Sequence, residues 1–275
     1  YDSSPSVSEA MKKTGLHFNL VIADEAHHCA GNVDSKFATV LDDNLIKADK
    51  RLFMTATPRM FTGNVIKRAQ ERDLEIVSMD DESTFGPVLH ELNFGRAIEK
   101  GVLSDYQVLV IGVTDSEISE QVKKGELFRL QDAGKPMDAR SLGALIGVLR
   151  ALKKHGITKA ISFHKTIDRA DRFASILPKA ASALPDRERL ATDIWAKYVS
   201  GKMSSGDRVD ILNDFESVSD QPAILANAKC LGEGVDVPSI DGVAFIDPKR
   251  PQIDIVQAVG RAIRKSDEDK IATII

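Results

Sequence analysis

Cysteine is nearly absent: Cys29 and Cys230 are the only two in 275 residues. They cannot build a disulfide framework or a paired-cysteine zinc site, which suits a reducing compartment and predicts a cytoplasmic protein. No apolar run approaches the roughly 20 residues of a membrane span, so no membrane is expected as a partner. No secretory signal opens the chain. An excess of charge of one sign is also missing. Lys+Arg 37 against Asp+Glu 41 leaves a formal net charge of -4, which excludes a strong global basic field. With 43% hydrophobic and 28% charged residues the composition is globular, neither disordered nor fibrous. The length allows about two domains at roughly 150 residues each, and excludes a small stapled scaffold. The first residue is Tyr1, and the last five, Ile271 to Ile275, read as an interrupted strand. The chain is accordingly expected to be a fragment of something longer.

Short Val- and Ile-rich runs alternate with helix-periodic segments, the pattern of parallel strands buried between crossover helices. An α/β fold with mainly parallel sheets is expected. The strand candidates are Phe18 to Ala23, Arg51 to Met54, Glu75 to Ser78, Gln107 to Val113, Lys159 to Phe163, Ala223 to Asn227 and Gly242 to Ile246. In such sheets the carboxyl ends of the strands form the ligand crevice, so chemistry is sought just after each run. A boundary is expected near Ser104 to Tyr106, dividing the chain into 1–106 and 107–275. The first part carries 12 basic and 17 acidic residues and the second 25 and 24, so the acidity lies in the first. Residues 114–140 are polar and carry no readable motif.

Three signals carry chemistry. The run Leu20-Val21-Ile22-Ala23 ends in Asp24-Glu25-Ala26-His27-His28. A carboxylate at a strand tip can hold Mg²⁺ through water, and its neighbour can orient or deprotonate a water for phosphoryl transfer. Read alone, the pair is an ordinary loop. A transition-metal site from His27, His28, Cys29 and Asp24 is a weaker rival, because adjacent histidines project differently and the spacing is not that of a zinc helix. Next, Leu52-Phe53-Met54 ends in Thr55-Ala56-Thr57-Pro58. Read alone, the hydroxyls are local caps. Taken with the first signal, this one predicts Asp24, Glu25, Thr55 and Thr57 at one rim of one sheet. Third, Gln257 to Arg264 places Arg261 and Arg264 three apart, on one face of an expected helix. A guanidinium fork there can stabilise charge on a transferring phosphoryl group, although a solvated basic helix end is the plainer reading. Upstream, Gly232 and Gly234 lack the third glycine of a dinucleotide fingerprint, and the loop still can bring Asp236 to a ribose.

The ordered set Asp24-Glu25-Ala26-His27, Thr55-Ala56-Thr57, Phe163-His164, Gly234-Val235-Asp236 and Gln257-x-x-Gly260-Arg261-x-x-Arg264 resembles motifs II to VI of superfamily 2 helicases of the DEAH-box type. More narrowly, Met54 to Arg59, Ser78 to Glu82, Leu103 to Tyr106 and Ile246 to Pro248 resemble the helicase part of restriction and phage-defence proteins, including type ISP restriction enzymes. The resemblance implies two RecA-like lobes, the first truncated at its N-terminus, in an ATP-dependent motor moving on duplex DNA. It implies that Asp24 binds Mg²⁺ through water and that Glu25 activates the attacking water. His27 and Gln257 would lie near the γ-phosphate of ATP, Thr55 and Thr57 would couple hydrolysis to movement, and Gly234 and Asp236 would contact the ribose or the inter-lobe network. Arg261 and Arg264 would act as arginine fingers. His164, Lys165, Gly201, Lys202 and Asn227 would face nucleic acid. A nuclease or methylase in the same longer chain is the implied partner.

One element of that family is missing. The only Gly-Lys pairs, Gly134-Lys135 and Gly201-Lys202, are not followed by Ser or Thr, so no G-x-x-x-x-G-K-[ST] loop cradles phosphate. The loop is expected upstream of Tyr1, and these residues alone are expected to be catalytically inactive. Two other readings are a non-catalytic helicase-like nucleic-acid-binding module, which has no use for a water-activating Glu, and a zinc hydrolase using His27, His28 and Asp24.

Overall fold

The structure, a computed structural model, describes residues 2–33, 35–114, 116, 138–228, 230–231, 240–247, 252–264 and 271–275. It divides into two compact units, Tyr1–Glu91 and Leu92–Ile275.

The first unit runs α1 (Ser4–Thr14), β1 (Phe18–Ala23), a 3₁₀ turn at Ala26–His28, β2 (Gly31–Asn32), a 3₁₀ turn at Lys36–Leu41, β3 (Ala48–Phe53), α2 (Gly63–Gln70), β4 (Ile76–Val77) and α3 (Glu82–Phe85). Helix α1 stops at Gly15, whose φ of 70° lets its N–H return to the Met11 carbonyl. β1 and β3 pair in parallel, with Ala23 opposite Phe53. One side of β1 is apolar yet open to solvent, with Leu20 51% and Ile22 55% exposed. The Glu75 to Ser78 candidate forms only a two-residue strand, and it pairs antiparallel with β2. The run is short because Asp73, at φ 53°, turns the chain before it and Ser78 begins the next turn.

The second unit runs α4 (Phe94–Glu99), β5 (Tyr106–Val108), α5 (Ala139–His155), β6 (Lys159–Phe163), α6 (Ile167–Ala183), β7 (Trp195–Ser200), α7 (Ser205–Ser217), β8 (Ala223–Ala228), β9 (Gly242–Phe245), α8 (Gln252–Ala262) and β10 (Ala272–Ile274). Its six strands form one parallel sheet in the order β5-β10-β9-β6-β8-β7. Two-residue alternation sorts its side chains into two cores. Ala160, Ile224, Ala226 and Ala244 pack with Leu145, Leu149, Phe173 and Leu177 of α5 and α6. Ile161, Phe163, Leu225 and Val243 pack with Phe215 of α7 and with Val259 of α8.

Three differences from the sequence reading have local causes. β7 is not among the candidates because Lys197 interrupts its apolar residues; it is an edge strand whose Lys197 pairs with Asp214 at 2.6 Å. β5 is shorter than the Gln107 to Val113 run: after Val108 the Leu109 N–H still reaches the Ile274 carbonyl, and Val110 is 94% exposed. Residues 92–106, grouped by sequence with the first part, pack with the second unit. The Ser104 N–H bonds the Ile263 carbonyl, Leu103 bridges Arg264, and Phe94 and Leu103 cover the core beneath α8.

Candidate active site and strand-end rim

In the first unit the parallel pairing of β1 and β3 brings the two expected strand ends together. The Met54 N–H bonds the Ala23 carbonyl at 2.8 Å and the Ala26 N–H bonds the Met54 carbonyl at 2.9 Å. Asp24, Glu25, Thr55 and Thr57 thus follow adjacent strand ends. Asp24 is exposed, and its Oδ1 accepts the Glu25 N–H at 2.9 Å. Glu25 sits at φ 49°, ψ 44°, a left-handed conformation that a non-glycine residue adopts at a cost of about 1–3 kcal/mol. This turn swings the chain into the 3₁₀ turn and buries His27, 3% exposed, behind the carboxylates.

His27 joins the two strand ends. Its Nδ1 lies 3.0 Å from Thr55 Oγ1 and 3.4 Å from Glu25 Oε2. Thr55 Oγ1 also accepts the Thr57 N–H at 3.1 Å. Thr57 Oγ1 is buried and finds no hydrogen-bond partner among the described residues. His28 packs between the His27 ring, centroids 4.4 Å apart, and the Phe37 ring, 5.7 Å away, and Cys29 is 1% exposed. Among the described residues no three His, Cys, Asp or Glu side chains are grouped to hold a metal ion. An oxygen donor at a strand tip fits a hard cation held through water.

The stretches Met54 to Arg59 and Ser78 to Glu82 turn out to be one bonded unit. The Phe61 N–H donates to Ser78 Oγ at 2.9 Å, the Met79 N–H to the Arg59 carbonyl at 3.1 Å, and Asp81 caps α3 through the Ser83 N–H. They hold the chain leaving Thr57 against β4.

In the second unit, Phe163 of β6 and Val199 of β7 both lie opposite Asn227 of β8, so the residues after these strands share one rim. Lys165, Gly201 and Lys202 are exposed there. His164 and Asn227 are buried instead. The Asn227 side-chain carbonyl accepts the N–H groups of Cys230 and Leu231, each at 3.0 Å, and its main-chain carbonyl accepts the His164 N–H. His164 Nε2 pairs with Ser162 Oγ at 2.9 Å and its ring packs on Phe173. Burial pushes the His164 imidazole down to about 4; nearby Asp247 opposes this and Arg169 adds to it. These two buried side chains shape the rim from within.

Gly234 and Asp236 lie outside the described residues, and the Arg261 position belongs to α8. Gln257 is half-buried on the same helix. The expectation that Arg261 and Arg264 share one helix face is corrected. α8 ends at Ala262, and residue 264 pairs with Leu103 in an antiparallel bridge that draws it off the helix. Arg264 is exposed. Sequence reasoning gave Asp247 no chemical role, and it overlooked Arg169 altogether. The signal available for Asp247 was its place immediately after a strand.

Two family models match the chain: the helicase conserved C-terminal domain over residues 141–266 and the res subunit of type III restriction enzymes over residues 3–60. A protein of African swine fever virus named "Probable helicase" is 26% identical over 258 residues, 94% of this chain and 26% of that protein. The chain thus spans about a quarter of the length of that relative. Among solved structures, the ATP-dependent type ISP restriction-modification enzyme LlaBIII bound to DNA is 28% identical with a TM-score of 0.78, covering 99% of this chain and 19% of that one. A nuclease-deletion mutant of the type ISP enzyme LlaGI in complex with a DNA substrate mimic is 26% identical, TM-score 0.57, over 100% of this chain and 16% of that one. The matched domains, the parallel six-stranded unit and the paired strand ends carrying Asp24-Glu25 and Thr55-Thr57 together support a superfamily 2 helicase related to restriction enzymes.

Proposed function

We propose that this chain supplies the water-activating and coupling residues of an ATP-driven motor acting on duplex DNA, in a longer protein of restriction or defence type. The observation that carries the reading is the joining of the two strand ends through His27, which puts Glu25 within 3.4 Å and Thr55 within 3.0 Å of one imidazole nitrogen. Asp24 is the residue that would hold Mg²⁺ through water. The cation, when bound with ATP, supplies charge neutralisation on the β- and γ-phosphates.

Glu25 orients and deprotonates the attacking water, and its left-handed backbone turns the chain so that His27 lies 3.4 Å from its carboxylate. His27 ties that carboxylate to Thr55, and Thr57 carries a buried hydroxyl with a hydrogen bond still to make. These links suit the passage of a change at the phosphate end to β3. Gln257, Gly234 and Asp236 complete nucleotide contacts, and Arg261 and Arg264 neutralise charge on the transferring phosphoryl. Lys165, Gly201 and Lys202 contact the DNA backbone from the rim, with His164 and Asn227 supporting them. The lobes divide as the two units do, with the connecting segment 92–106 on the second. The exposed apolar side of β1 and the absence of a phosphate loop support a first lobe that is completed by other parts of a longer chain. A nuclease or methylase is the expected companion domain. Cys29 and Cys230, both buried and not joined in a disulfide, suit a cytoplasmic setting, and no described helix is long and apolar enough to cross a membrane.

The test is ATP hydrolysis with and without duplex DNA. The 275 residues alone are expected to show none; robust DNA-stimulated turnover would refute the need for an added phosphate loop. In the longer protein, Glu25→Gln is expected to retain nucleotide binding and lose turnover, and near-wild-type turnover would remove Glu25 from its role.

A further inference from the structure

The rim of the second unit contains a buried carboxylate to which the motor reading assigns no task. Asp247 follows β9 and is 7% exposed. A carboxylate taken out of water is stable only when its oxygens are met by strong donors. Oδ2 accepts the Lys165 N–H at 2.9 Å, and Oδ1 pairs with Arg169 Nη2 at 3.1 Å. Arg169 donates in turn to Ser141 Oγ at 3.3 Å, and the Ser141 hydroxyl donates to Asp138, the residue that caps α5.

The loop between β6 and α6 has three residues, each held by a different part of the unit. The His164 N–H is held by β8, the Lys165 N–H by Asp247, and Thr166 caps α6 through the Arg169 N–H. Within this three-residue loop the Lys165 side chain is the exposed group that can meet a phosphate by charge, since His164 is buried and neutral at ordinary pH. A flexible lysine binds phosphate best when its backbone is already fixed.

We propose that Asp247 is a positioning residue for DNA binding: through the Lys165 N–H and the Arg169 guanidinium it holds the β6–α6 loop so that the Lys165 ammonium is presented at the rim. This rests on the reading above that the Lys165 loop faces DNA. It predicts an effect opposite in sign to simple electrostatics. Removing a negative charge from a DNA-facing surface ordinarily strengthens binding, whereas removing a positioning carboxylate weakens it.

The experiment is anisotropy titration of a short fluorescein-labelled DNA duplex with the 275-residue chain across a salt series, for wild type, Lys165→Ala, Asp247→Asn and the double variant. Lys165→Ala is expected to weaken binding and to lower the salt slope by about one phosphate contact. Asp247→Asn is expected to weaken it by about tenfold, the scale of one well-placed charged contact. The double variant should bind little worse than the weaker single variant, a non-additivity that a general loss of stability does not produce. If Lys165→Ala weakens binding while Asp247→Asn binds as tightly as wild type or tighter, the positioning role is overturned and the DNA-facing loop stands. Full additivity of the two losses overturns the positioning role as well. If Lys165→Ala binds like wild type, the DNA-facing reading of the loop fails, and the positioning role with it. Folding is checked by Trp195 fluorescence. Should Asp247→Asn not fold, Asp247→Glu, which keeps the charge and displaces it by one methylene, is read against the same outcomes.

Discussion

Replacing Thr55 by Val removes one hydroxyl while keeping the side chain's shape, and that hydroxyl serves two partners at once. It lies 3.0 Å from His27 Nδ1 and accepts the Thr57 N–H at 3.1 Å. His27 and Thr57 are both buried and both contacts are partly so, hence neither loss dominates. A buried polar group left unpaired costs about 1–3 kcal/mol, so the pair together should cost about 2–4 kcal/mol. The cost falls on the junction between β1 and β3, and hydrogen exchange can read it there. The amides of Ala26 and Met54, which bond across that junction, should exchange roughly thirtyfold to several hundredfold faster, at tenfold per 1.4 kcal/mol. Thr55→Ser keeps the hydroxyl and deletes a methyl group, a loss of about 0.8 kcal/mol or less and a change of roughly fourfold at most. In a His27→Phe background the Val substitution should cost less, because one partner has already gone. Equal exchange rates in the Val and Ser variants, or a Val variant indistinguishable from wild type, would refute the claim that this hydroxyl joins the two strand ends.

Two further outcomes concern the second unit, where Trp195 is the sole tryptophan and reports unfolding. Gly242→Ala puts a Cβ 2.7 Å from Ile157 Cγ2 and 3.0 Å from Ala160 Cβ. Overpacking of about 1–3 kcal/mol, offset by about 0.4–1 kcal/mol from a stiffer unfolded chain, should lower the urea midpoint; an unchanged midpoint would contradict the contact. The second outcome is a pH dependence. His164 titrates at about 4 when folded, against 6.5 for the ordinary side chain. The unfolded chain therefore binds the extra proton first on acidification. Stability should fall as pH drops from about 6.5 to 4, by roughly 3 kcal/mol in all, and no contribution remains above that window. His164→Gln should flatten this part of the profile, and parallel profiles for the two proteins would rule the histidine out as its source.

Much of the architecture was legible because parallel strands carry apolar residues on both faces, a pattern present in β1 even though one of its sides is open to solvent. Phe18 to Ala23 and Lys159 to Phe163 coincide with β1 and β6, and Ala223 to Asn227 falls one residue short of β8. The edge strand β7 escaped notice for the same reason, since one edge faces solvent and Lys197 is tolerated there. The two compact units part between Glu91 and Leu92, about fifteen residues before the boundary expected near Ser104 to Tyr106. Leu103 and Ser104 find their partners in Arg264 and Ile263, a pairing across 160 residues that no local pattern announces.

The sequence by itself determined which chemistry is available: carboxylates and hydroxyls just past apolar runs, and arginines late in the chain, because residue type and strand periodicity are local properties. Only the tertiary structure decided how these groups are used. Parallel pairing of β1 with β3 placed His27 between Glu25 and Thr55. The tertiary structure buried the side chains of His164 and Asn227 at the strand ends, and the bridge to Leu103 took Arg264 off its helix. Asp247 gained a role only by folding, because a carboxylate's partners are set by which strand ends lie side by side, and that order is a property of the sheet rather than of any segment within it.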